Sequence, residues 1–131
     1  MERLTLKYKD ASKALGTFAE ILREPFSKII RDAAIQRFEY TFEALWKFLK
    51  QYLYDIHGIA CNSPKSCFKE IFSQGYLSEE ETSAFLEMTD RRNETSHTYK
   101  EEVSNIIYKS SPNYCALMQR LLERFRSFQE K

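Results

Sequence analysis

Between Asp90 and Glu102 the chain reads DRRNETSHTYKEE, a polar run inside an aromatic-rich sequence. Arg91, Arg92, His97 and Tyr99 stand close together in it. A guanidinium can hold a phosphodiester, or the charge of its transition state, through two parallel hydrogen bonds, and an imidazole titrates near neutral pH and can move a proton. The combination suits phosphate chemistry and calls for no metal or cofactor. If the bound phosphate belonged to RNA, the strand's own 2′-hydroxyl could attack it once deprotonated.

Helix geometry separates the two arginines. Arg91 has Glu87 one turn earlier, an arrangement that stabilises an exposed helix by about 0.2–0.5 kcal/mol. Arg92 continues the Phe85, Met88 spacing of a buried stripe, with Thr89 and Met88 rather than a carboxylate behind it, so it needs a partner from elsewhere. On an unbroken helix Arg92 and His97 would point about 140° apart. They converge only if the helix stops between them. Asn93 suits a helix C-terminus, and Thr95, Ser96 and Thr98 bond backbone groups in non-helical conformations, so a bend after Glu94 would let Arg92, His97 and Tyr99 share one mouth. The same residues also fit a plain helix end, where histidine caps the last carbonyls and arginine extends to solvent.

The elements that would position this run are helical. Leu4, Tyr8, Ala11, Leu15, Phe18 and Leu22 recur at steps of four and three, which predicts a helix from Glu2 to Leu22. Arg23-Glu24-Pro25 breaks it, and a second helix is expected from near Phe26 to Gly58. Its polar stripe, Gln36, Glu39, Glu43, Lys47 and Lys50, is narrow and expected to be solvated. Its apolar residues, Trp46 among them, cover most of the circumference and ask for neighbours on several sides, including a second subunit. Ser63 with Pro64 starts a third helix that buries Cys67, Phe68, Ile71 and Phe72 and stops at Gly75. Ser78-Glu-Glu-Glu81 is a capping box opening the fourth, which runs into the polar stretch. A short helix is expected at Glu101–Lys109, and a last one from Ser111-Pro112 to the C-terminus. Short connections between such helices predict an all-α, antiparallel bundle of up-and-down helices, one domain over residues 1–131.

With 20 basic and 19 acidic side chains the formal charge is +1, so no global field draws the chain to nucleic acid or an anionic membrane. Any anion site must be local. No apolar run resembles a signal peptide or a membrane span, which points to the cytoplasm. Cys61, Cys67 and Cys115 are odd in number and lack CxxC spacing, so reduced thiols are expected. His57, Cys61 and Cys67 match no standard zinc spacing.

Two stretches together, AAIQRFEYTFEALWKFLKQYL (Ala33–Leu53) and RRNETSHTY (Arg91–Tyr99), resemble signatures of the HEPN superfamily, in its nucleotidyltransferase substrate-binding branch near the HepT toxins. The second fits an R-x4-H-x-Y pattern on Arg92, His97 and Tyr99; Arg91 satisfies the looser motif in the x5 register. The resemblance implies an antiparallel helical bundle that forms a two-fold homodimer. It further implies a metal-independent RNA-cutting cleft shared by the two subunits and a partner gene encoding a minimal nucleotidyltransferase. In HepT-type pairs that partner silences the toxin by attaching AMP to the motif tyrosine. By resemblance, His97 is the proton-transfer residue, Arg92 the phosphate clamp, Asn93 a supporting hydrogen bonder and Tyr99 the modified residue. The other role open to this branch is a non-catalytic subunit that presents a substrate or nucleotide to the nucleotidyltransferase.

Overall fold

The first expected stripe is buried as its spacing requires: Leu4, Tyr8, Ala11, Leu15 and Phe18 line the inner face of helix α1, Glu2–Ile21. The computed structural model describes residues 2–130, with side chains as far as Phe128. Met1 and Lys131, part of the expected domain, lie outside the described residues. Helix α2 spans Lys28–His57, 30 residues, so it runs roughly 45 Å. Its start differs from expectation. Ser27, not the proline, makes the cap: its hydroxyl accepts from the Ile30 amide at 3.1 Å. Gly58 ends the helix with φ +67°, a conformation that favours glycine over residues with a Cβ.

Helices α1, α3 (Pro64–Ser73) and α5 (Glu101–Glu123) pack against α2, and α4 (Glu79–Asn93) packs on α3. The excess apolar surface foreseen on α2 is largely covered within the chain: Phe38, Phe42, Leu45, Phe48, Leu49 and Leu53 are buried. Edge and face contacts knit these rings together, Phe38 with Tyr114 and Phe48 with Phe125 and Phe128. The Thr41 hydroxyl donates to the Ala14 carbonyl at 3.1 Å, the Arg37 guanidinium to the Thr17 carbonyl at 2.8 Å, and the Thr17 and Tyr40 hydroxyls bond each other. These polar contacts fix how α1 lies along α2. Among the described residues there is no strand, and no helix is long and apolar enough to cross a membrane.

Several expectations are corrected. Residues 101–123 form one helix, not two. Ser111 does not cap a new start, because it is buried and its hydroxyl donates back to the Ile107 carbonyl at 2.8 Å, so Pro112 sits inside a continuous helix and removes one backbone donor without ending it. Phe72 is 42% exposed rather than on the inner face of α3, whose buried side is Cys67, Phe68 and Ile71. Cys61 and Cys67 are joined in a disulfide, and Cys115 is the free, buried thiol. An odd count forbids pairing only the leftover cysteine. The loop before α3 folds Cys61 back until the two Cα atoms are 5.5 Å apart, within the range a disulfide spans. The last expected helix also stops short of the C-terminus: α5 ends at Glu123, and Phe125 and Phe128 reach the core from a turn and a 3₁₀ segment at Arg126–Glu130.

Candidate functional site

Helix α4 starts where its capping box requires, with the Ser78 hydroxyl accepting from the Glu81 amide and the Glu81 carboxylate accepting from the Ser78 amide. It ends at Asn93, and the chain tightens into a 3₁₀ turn at Glu94–His97. The break in the polar run is therefore real and falls between Arg92 and His97. Thr95 makes the turn. Its buried hydroxyl lies 2.5 Å from Glu39 Oε2 and 2.8 Å from the Arg92 carbonyl, with a single proton to share between them, and it accepts from Arg92 Nη1 at 3.3 Å.

Arg92 leans inward as expected, and its partners come from α2. Its Nη2 is 3.1 Å from Glu43 Oε1 and its Nη1 is 3.5 Å from Glu39 Oε2. Its Nε, also buried, has no hydrogen-bond partner among the described residues. The stripe expected to be solvated thus supplies two carboxylates that offset the arginine's charge. Glu43 also accepts from Trp46 Nε1 at 3.1 Å. Arg91 pairs with Glu94 at 2.9 Å instead of Glu87. The 3₁₀ turn accounts for the change, because tighter winding sets residues three apart nearly in line. Asn93 is exposed; its carbonyl accepts from the Ser96 hydroxyl at 3.4 Å and its side chain makes no capping bond.

His97 and Tyr99 are brought together on the outside of this turn. The Tyr99 hydroxyl lies 3.4 Å from His97 Nδ1, the ring centroids are 6.0 Å apart edge to face, and Tyr99 is 76% exposed. Tyr99 also borders a cavity of about 280 Å³ with Asp32, Ile35 and Thr98. Among the described residues no hydrogen bond joins Arg92 to His97. The guanidinium turns toward α2 while the imidazole faces solvent.

The segment holding His97 and Tyr99 is anchored on both sides. Upstream is the Thr95 contact with Glu39. Downstream, the Ser104 hydroxyl donates to the Thr98 carbonyl at 2.8 Å, and buried Arg31 grips Glu101 with two bonds of 2.8 and 3.2 Å while also meeting Asn105 and Asp32. The Glu101 bond is the main cause raising the Arg31 pKa, and Arg31 in turn holds the Glu101 carboxyl below its usual value. Glu39, Glu43, Thr95 and Arg31 were not singled out from sequence as site residues. The one signal for the two glutamates was that Arg92 lacked a carboxylate on its own helix. Among the described residues no group of three or more His, Cys, Asp or Glu side chains is placed to hold a metal ion.

With this geometry in place, the chain can be set beside known proteins. A family model for nucleotidyltransferase substrate binding protein-like chains matches residues 5–127. The chain belongs to that family. Its fold is the family's HEPN-like helical bundle. Among solved structures, ttk003001694 from Thermus thermophilus is 44% identical, with a TM-score of 0.85 over 88% of this chain and 98% of that one. HI0074 from Haemophilus influenzae, whose structure is described as revealing the fold of a substrate binding domain of a nucleotidyltransferase, is 22% identical with a TM-score of 0.63 over 95% and 98%. At that identity the likeness shows the fold alone. No curated protein matches the chain.

Proposed function

We propose that this chain is the helical subunit of a two-component nucleotidyltransferase system, and that Tyr99 is where a minimal nucleotidyltransferase partner places AMP. The observation that carries the reading is the exposed Tyr99 hydroxyl set against His97 Nδ1 on an anchored turn. With the imidazole neutral, Tyr99 Oη attacks the α-phosphorus of ATP held by the partner. The bond to the β-phosphate breaks, pyrophosphate leaves with the electron pair, and the hydroxyl proton passes to His97 Nδ1.

The group silenced would be a metal-independent ribonuclease centre. There His97 takes the 2′-hydroxyl proton of RNA, the freed oxygen attacks the neighbouring phosphorus to form a 2′,3′-cyclic phosphate, the 5′-oxygen leaves with the electron pair of its bond to phosphorus and takes a proton from water, and Arg92 holds the non-bridging oxygens. Because Arg92 and His97 do not meet within one chain, that centre needs a homodimer in which each subunit supplies one of them. Ile29, Phe26 and Ile106, at 81, 64 and 48% exposed, give the start of α2 and the front of α5 an apolar surface for such a contact. An AMP on Tyr99 would lie against His97 and cover it, which accounts for silencing by modification.

One observation favours the non-catalytic alternative. Glu39 and Glu43 already occupy Arg92, so its charge is spent inside the chain. On that reading the subunit presents a substrate and cuts nothing. RNA cleavage in excess chelator separates the two: the ribonuclease reading expects cleavage that His97→Ala abolishes while helicity is kept. Equal cleavage by wild type and variant would refute it.

A further inference from the structure

Away from the Arg92 turn, a cavity of about 590 Å³ between α1 and the second half of α2 ends on the loop that carries Cys61. Arg3, Lys7, Lys47 and Lys50 line it and no carboxylate does. Carboxylates enter only in the adjoining hollows, Asp10 and Glu43 on one side and Glu2 and Asp55 on the other, so the positive region is small. Of the two bridged cysteines, Cys67 is fully buried in the first turn of α3, whereas Cys61, although only 3% exposed, borders the cavity. Among the described residues Ala60, Cys61 and Asn62 make no hydrogen bond. Apart from the packing of Cys61 itself, the disulfide alone ties this part of the loop to the bundle.

We infer that Cys61 and Cys67 form a redox-active pair, opened through the basic cavity by low-molecular-weight thiols that carry a carboxylate, with Cys61 as the sulfur attacked. Every thiol attacks as its thiolate, so what the cavity can select is the charge on the rest of the molecule. A carboxylate-bearing thiolate has two negative charges to set among the four cations, and that raises its local concentration beside Cys61. The incoming sulfur bonds to Cys61 Sγ, the bond to Cys67 Sγ breaks, and its electron pair leaves on Cys67 Sγ, which takes a proton from water. Cys67 stands near the start of α3, whose amides favour a departing negative charge. A second thiolate then attacks the outer sulfur of the mixed disulfide. Cys61 leaves with that electron pair and is protonated, and the two small thiols depart as their own disulfide, having given the protein two electrons. The reverse steps restore the bond. Reduction unties Ala60–Asn62 from α3, so the end wall of the cavity is held or released by the thiol balance around the protein.

The inference is independent of the Tyr99 reading and is tested on the chain alone. Reduction of the folded protein is timed by alkylation and peptide mass mapping with thioglycolate and glutathione, which carry carboxylates, with neutral 2-mercaptoethanol and with cationic cysteamine. Each rate is divided by the thiolate fraction and corrected for thiol basicity. At low salt the two carboxylate-bearing thiols should react roughly tenfold faster than 2-mercaptoethanol, and cysteamine should be the slowest. Lys47→Gln/Lys50→Gln should cut that advantage about threefold, while Lys9→Gln/Lys13→Gln, the same loss of charge outside the cavity, should leave it intact. For the site of attack, Cys67→Ser exposed to glutathione disulfide should take glutathione on Cys61, and Cys61→Ser should take it on Cys67 roughly tenfold more slowly. Corrected rates that ignore the charge of the thiol, or a charge preference untouched by the Lys47/Lys50 variant, would overturn the inference. So would faster modification of Cys67 than of Cys61, or a reduction rate independent of thiol concentration, which marks sulfurs reached only when the chain unfolds.

Discussion

Glu81 joins the start of α4 to the end of α5, and its protonation should govern how firmly the helix carrying Arg92 is held. Its carboxylate accepts two bonds from Arg124, at 2.8 and 3.0 Å, as well as the Ser78 amide. Arg124 also donates to the Tyr76 carbonyl at 2.7 Å. The Arg124 hydrogen bonds are the main cause, and the Ser78 amide the next, of a Glu81 carboxyl held down at about 2, against 4.5 for a free side chain. A carboxyl displaced that far corresponds to a ceiling of roughly 3 kcal/mol. The Glu81 side chain is 20% exposed and that of Arg124 36%, so solvent screening lowers the expected contribution to about 1–2 kcal/mol. Because the folded value lies below the unfolded one, this stability is present above about pH 4.5 and is lost as pH falls toward 2. Glu81→Gln keeps an oxygen for the Ser78 amide but removes the charge. In urea unfolding followed by circular dichroism, wild type should exceed Glu81→Gln by about 1–2 kcal/mol at pH 6–7, with the gap closing as pH approaches 2. A gap of the same size at every pH would refute the ion-pair argument, leaving only packing to explain the variant.

Other consequences follow from the same contacts. Reducing the Cys61–Cys67 bond, which closes a loop between cysteines six positions apart, should lower stability by about 2 kcal/mol, read as a shift in urea midpoint with and without reductant. A Cys61→Ser/Cys67→Ser variant should no longer respond to reductant. Replacing both α2 carboxylates, Glu39→Gln/Glu43→Gln, should cost about 1 kcal/mol, since both are partly exposed. It should also speed amide exchange across residues 94–98 while leaving α1 protected, and unchanged exchange there would show that Thr95 holds the turn alone.

The helices were legible because each buries a stripe whose period the sequence displays, and because Ser63, Ser78 and Gly58 carry unambiguous end signals. The stop after Asn93 was legible for a different reason: Asn93 suits a helix C-terminus, and Thr95, Ser96 and Thr98 bond backbone groups in non-helical conformations. What the local pattern could not carry was anything decided between distant segments. Arg92 finds its carboxylates on α2, far away in the chain, and no spacing rule announces that pairing. Pro112 looked like a start because Ser111 before it is a good cap, yet burial turns that hydroxyl back into its own helix. The disulfide was missed because residue parity was read in place of loop geometry.

The most direct test of the Tyr99 reading is intact-mass and peptide-mapping spectrometry after incubation with a minimal nucleotidyltransferase and ATP. One adenylyl group per chain is expected, mapped to Tyr99, abolished by Tyr99→Phe and slowed by His97→Ala. A chain that stays unmodified beside an active partner, or takes its AMP on another residue, would contradict it.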